Sequence, residues 1–73
     1  MIDSMSEAVR QVIESYPVGH EFHGNELHKD VIRLYPHAKY QYTDTLMRMM
    51  RRHCRRQYIS VDHNKSLYRK VEL

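Results

Sequence analysis

The chain is short of the residues from which most recognisable chemical sites are built. Its 73 residues include one cysteine, Cys54, and no tryptophan. A single thiol excludes an internal disulfide and suits a reducing compartment, so an intracellular setting (cytoplasm, nucleoid or nucleus) is expected. Two glycines and two prolines leave no low-complexity linker, and no internal repeat is visible. No run approaches the roughly 18 apolar residues of a membrane span. Met1–Ser4 lack a basic stretch leading into an apolar one, so no secretory signal is expected. The phosphate-binding glycine loop, Gly-x-Ser-x-Gly and His-Glu-x-x-His are all missing, so neither enzyme activity nor a cofactor is expected. Six histidines raise the question of zinc. However, structural zinc needs four converging ligands at recognised spacings, and His53 and Cys54, as helix neighbours, diverge by about 100°. No metal is expected, and Cys54 reads as a small buried residue.

What is present is charge, unevenly placed. Residues 1–38 carry three basic side chains against six acidic ones, whereas residues 39–73 carry nine against three. The net +3 therefore hides a strong dipole, and its C-terminal half can attract a polyanion.

Length allows one domain over residues 1–73. Ser4-Met5-Ser6-Glu7 has capping-box spacing, and Val9, Val12, Ile13 and Tyr16 recur with helical period until Pro17, predicting a helix over about 4–16. Glu21-Phe22-His23 fits a minimal strand. Leu27, Val31 and Leu34 predict a second helix over about 25–35, stopped by Pro36. Thr43 or Asp44 is placed to cap a third helix running to about Arg56. Ile59 and Val61 then alternate as in a half-buried strand, and Leu67–Val71 alternate too. Between them His63-Asn64-Lys65 forms a turn, with Asn64 suited to a left-handed position. The expected class is α+β: three helices, a short strand and a C-terminal hairpin with a basic tip and flank.

The third helix carries the functional signal. On a helical projection Leu46, Met49, Met50, His53 and Cys54 share one side, expected to be core. Arg48, Arg51 and Arg55 lie opposite with Asp44, while Arg52 and Arg56 lie on a flank and Met47 at the edge of the apolar face. A planar guanidinium can donate two parallel hydrogen bonds to phosphate or to guanine O6 and N7, so this face suits nucleic acid. Tyr40 and Tyr42, beside Lys39, can contact sugar-phosphate or stack on a base. Tyr16, Tyr35, Tyr58 and Tyr68 are expected to close the core. Only the Tyr40–Tyr42 pair offers a platform for single strands, which places RNA second to duplex DNA.

Phe22–Leu27, Tyr42–Arg51 and Tyr58–Val61 with its hairpin resemble the winged helix-turn-helix superfamily, over nearly the whole chain. The resemblance implies a winged-helix fold with the third helix in a DNA groove and the hairpin wing on the neighbouring backbone. Carried over by position, it implies groove contacts from Arg48 and Arg51 and wing contacts from Lys65 and Arg69. The chain departs from that pattern at His53-Cys54, where leucine is usual, and at Arg56-Gln57, where a glycine often precedes the wing. The expected function is a duplex DNA-binding protein, a small transcriptional regulator or architectural factor, with a homodimer as a further expectation. Its expected contact residues are Lys39, Tyr40, Tyr42, Asp44, Met47, Arg48, Arg51, Arg52, Arg55, Lys65 and Arg69. Arg56 adds to the phosphate-neutralising charge. The competing expectation is a protein-interaction module docking its basic face on an acidic partner.

Overall fold

The structure is a computed structural model, and it describes residues 4–72. Helix α1 spans Met5–Ser15, strand β1 Glu21–His23 and helix α2 Gly24–Leu34. After a 3₁₀ turn at Pro36–Tyr40, helix α3 spans Thr43–His53. Strand β2 spans Tyr58–Asp62 and β3 Leu67–Lys70, joined by a 3₁₀ turn at His63–Lys65. The sheet is antiparallel in the order β1-β3-β2, so the last strand is central. It is a small α+β domain of three helices and three strands. No helix among the described residues is long and apolar enough to cross a membrane.

Each element follows from local chemistry. Ser4 caps α1, its hydroxyl accepting from the Glu7 amide at 3.2 Å. The helix buries Ala8, Val9, Val12 and Ile13, while Tyr16 and Pro17 end it. Leu27 and Val31 of α2, Leu46, Met47 and Met50 of α3, and Phe22 and Tyr68 of the sheet complete the core. The Phe22 ring lies 4.9 Å from Tyr16 and 5.9 Å from Tyr68 between centroids, and so joins the sheet to α1. The Tyr16 hydroxyl donates to Asp30 of α2 at 2.6 Å. Burial first, then that hydrogen bond, pushes its pKa above the usual tyrosine range.

Several expectations give way here. Helix α3 ends at His53 rather than near Arg56, because Cys54 turns into the core and leaves helical geometry. Its buried side is also rotated by about half a residue's turn, some 50°. Met47 comes in, Met49 is only half-buried and His53 is exposed. The reason is Gly24: a Cβ there would sit 3.1 Å from the Met47 sulfur, so the bare backbone at the start of α2 makes room for that side chain. Ile59 and Val61 prove exposed, because β2 meets the core through Tyr58, paired with Lys70, while Ser60, opposite Tyr68, is exposed as well. An irregularity at Val61 then shifts the register. In the hairpin, the left-handed residue is Ser66 rather than Asn64. The Asn64 and Lys65 amides instead donate to the Asp62 carboxylate.

Lys70 is the largest departure, for it belongs to no basic flank. It is 0% exposed. Its Nζ donates to the carbonyl oxygens of Ile13 and Tyr16, at 2.5 and 3.0 Å. Helix α1 has no basic residue in its own last turn, so Lys70 supplies from β3 the cation and donors that a helix C-terminus lacks. Lys70→Met keeps the length and removes the donors. Urea denaturation should show about 1–3 kcal/mol less stability, since the Tyr16 carbonyl loses its donor and the helix end its cation, while the Ile13 carbonyl keeps the Tyr16 amide. Lys65→Met on the surface should stay within about 0.5 kcal/mol of wild type. A loss at Lys70 no greater than at Lys65 would mean that the ammonium does not hold the helix end.

Candidate functional site

Helices α2 and α3 begin side by side. Their N-cap residues, His23 and Tyr42, make no side-chain capping hydrogen bond, so the first-turn amides of both helices lack a side-chain acceptor at the cap. The two starts are tied together by His28. Its Nε2–H donates to the Ala38 carbonyl at 2.8 Å, and its Nδ1 lies 2.9 Å from the Thr43 hydroxyl. A carbonyl only accepts, which fixes the proton on Nε2 and leaves Nδ1 to receive the Thr43 hydroxyl in the neutral ring. Thr43 is thereby the first helical residue held by α2, and neither it nor Asp44 is the N-cap.

The hairpin tip closes over this corner. A cleft of about 350 Å³ is lined by His23, Gly24 and Asn25 at the start of α2, Thr43, Asp44 and Met47 of α3, and Asn64, Lys65 and Ser66 of the tip. His23 Nδ1 donates to the Lys65 carbonyl at 3.1 Å and so fixes the tip to β1. Of the residues expected from sequence, Asp44, Met47 and Lys65 meet here. His23, Asn25 and Asn64 were not foreseen, since only the β1–β3 pairing brings the tip to the helix starts. Met47 is 5% exposed and forms part of the floor, so it supports the cleft rather than reaching a ligand.

Outward from the cleft, α3 presents Arg48, Arg51 and Arg52, all exposed. Among the described residues none of the three has a carboxylate partner. Just before the helix, Tyr40 and Tyr42 are 74% and 83% exposed, and the Lys39 ammonium lies 5.0 Å from the Tyr40 ring centroid. Arg69 behaves otherwise. It donates through Nε and Nη2 to Glu21 at 3.0 and 2.6 Å across the β1–β3 pair, so its charge is already neutralised. The wing contact expected of Arg69 would thus start from a cation paired with Glu21, which the strand register sets opposite it.

Arg55 and Arg56 leave the helix axis with the turn after Cys54. With Arg52, His53, Gln57 and Glu72 they line a second, separate concavity of about 390 Å³. The stripe expected to run along one helix thus divides between an exposed helix face and a cup at its end. No cluster of three or more His, Cys, Asp or Glu able to hold a metal occurs among the described residues. Comparison with known protein families, curated proteins and solved structures finds no match for this chain.

Cys54, between the two halves of the stripe, is buried, and burial pushes its thiol pKa up despite the opposing pull of Arg10 and Lys70. Little thiolate then forms near neutrality, which leaves a weak nucleophile. At pH 8 the folded chain should react with iodoacetamide at least about ten-fold more slowly than the chain in urea. Equal rates would show the thiol open to solvent.

Proposed function

We propose that this chain is a winged-helix domain that binds duplex DNA, with α3 in the major groove and the hairpin as its wing. The carrying observation is the outer face of α3, where Arg48, Arg51 and Arg52 stand exposed and unpaired among the described residues, opposite a fully buried face. Helix order and sheet order support the fold reading: helix, strand, helix, helix, then a hairpin whose second strand pairs with β1.

In helix-turn-helix docking, residues near the start of the second helix reach base edges. Asp44 and Arg48 occupy those positions, Arg48 as a bidentate donor to guanine and Asp44 as an acceptor for a cytosine amine. Arg51 continues the face. Lys65 on the tip, Lys39 and the uncapped amides at the starts of α2 and α3 take backbone phosphate, which prefers helix N-termini. Tyr40 and Tyr42 pack against sugar. The acidic side chains lie mostly on α1, α2 and β1, so the protein's dipole orients α3 toward the polyanion during encounter. A small regulator or architectural factor of this kind works by occupying its site.

Selection from a random duplex pool across a salt series tests this. The wild type should enrich a motif, and Arg48→Ala should relax it at one position and weaken binding by about 1–3 kcal/mol. Lys65→Ala should weaken all sequences alike and flatten the salt slope by about one unit. If duplex DNA binds no better than roughly millimolar, below ordinary non-specific affinity, the DNA reading fails and the basic face belongs to an acidic protein partner.

A further inference from the structure

The geometry points to a second binding site: we propose that the cup framed by Arg52, Arg55 and Arg56 at the end of α3 takes two or more adjacent phosphate groups. This inference does not rest on base reading by Arg48, which lies on the outer helix face and not among the cup's lining residues.

The cup exists because α3 stops where it does. In a continuous helix Arg52 and Arg56 would stack one turn apart, with Arg55 on a neighbouring line. Instead Cys54 is buried, its amide donating to the Met50 carbonyl at 2.8 Å, and the chain reverses with the Gln57 amide donating to the Cys54 carbonyl at 2.9 Å. The Val71 amide then donates to the Gln57 carbonyl at 2.9 Å. Arg55 and Arg56 therefore sit on a short turn anchored to the core on one side and to the chain after β3 on the other. Three arginines line one hollow of about 390 Å³; among the described residues Glu72 is the one carboxylate in its lining, and none of the three arginines makes an ion pair.

Like charges collected on a fixed turn repel one another until an anion neutralises them. Guanidinium forks match phosphate oxygens two at a time, and three forks spread along one hollow can engage oxygens of neighbouring phosphates together. The hollow is more open than enclosed, which suits a charged ligand that stays partly hydrated. The ligand chemistry is thus vicinal phosphates, carried either by a free oligophosphate or by successive phosphates of a nucleic-acid strand.

Calorimetric titration of the whole chain with tripolyphosphate, free of nucleic acid, tests the site against sulfate at matched ionic strength. One tripolyphosphate per chain should bind, at least ten-fold tighter than sulfate. The exposed pair Arg55→Ala/Arg56→Ala should lose at least ten-fold with an unchanged thermal melt, and Arg48→Ala should lose less than two-fold. Tripolyphosphate binding no tighter than sulfate, or an equal loss from Arg48→Ala, overturns the site in favour of a diffuse basic field. Once the cup binds, its natural source is read by adding tripolyphosphate to a preformed duplex complex. Displacement that depends on Arg55 and Arg56 assigns the cup to the nucleic-acid strand, and a ternary complex assigns it to a free oligophosphate. Failure to bind duplex would leave the tripolyphosphate result standing by itself.

Discussion

The buried ammonium of Lys70 is the contact on which the arrangement of the other elements depends. Its side chain closes the C-terminal end of α1, while its backbone pairs with the turn that follows: the Lys70 amide donates to His20 and the Gly19 amide to Lys70, at 2.8 and 2.7 Å. Gly19 reaches that geometry with a φ of +93°, open to glycine without strain. One residue thus locks helix, turn and central strand together. A core this small has few other ways to fix the angle between sheet and helices, because a domain of this length buries a modest share of its surface. A lysine whose nitrogen finds carbonyls at a helix end meets the donor requirement that burial imposes. With β3 pinned, β1 and β2 are fixed on either side, and the hairpin tip is carried to the starts of α2 and α3.

The elements themselves were legible in the sequence to within a few residues, because capping, proline stops and periodicity are local properties. Ser4, Pro17, Pro36 and the change of period after residue 56 each left a mark that one stretch of chain could show. What escaped was set by partners distant in sequence. Lys70 looks like any strand lysine until α1 is seen to end beside it. Arg69 looks free until the register sets Glu21 opposite. Met47 looks marginal until Gly24 is found to offer it bare backbone. The outward turn of Ile59 and Val61 has the same origin, since alternation alone does not say which face of a strand meets the core.

The site follows the same division. That a basic helix face existed was plain from arginines repeated over residues 48–56, and so was the exposure of Tyr40 and Tyr42. That the stripe would break in two was not, since the break depends on Cys54 burying its side chain. Small and apolar enough to enter the core, it sits where a continuing helix would have kept its neighbours in line. His53 illustrates the converse: placed in the apolar stripe by periodicity, it is released to solvent once the helix rotates about Met47.

The ending of α3 also separates two electrostatic environments on one short helix. Its N-terminal end offers amides without a side-chain cap and an acidic side chain, Asp44, which lines the same cleft as Lys65. There an incoming anion meets fixed partial positive charge tempered by a carboxylate, which favours discrimination over mere attraction. Its C-terminal end carries the opposite partial charge, and Arg51, Arg52 and His53 in the last turn stabilise it. Arg55 and Arg56 stand past that end, where the helix no longer needs their charge. Under the two proposals, their excess charge draws multiply charged anions to the far end, while the near end distinguishes among them. Had α3 run on to Arg56, Arg55 would have extended the line of Arg48 and Arg51, and Arg56 that of Arg52, as one continuous basic face with strong attraction and little selectivity.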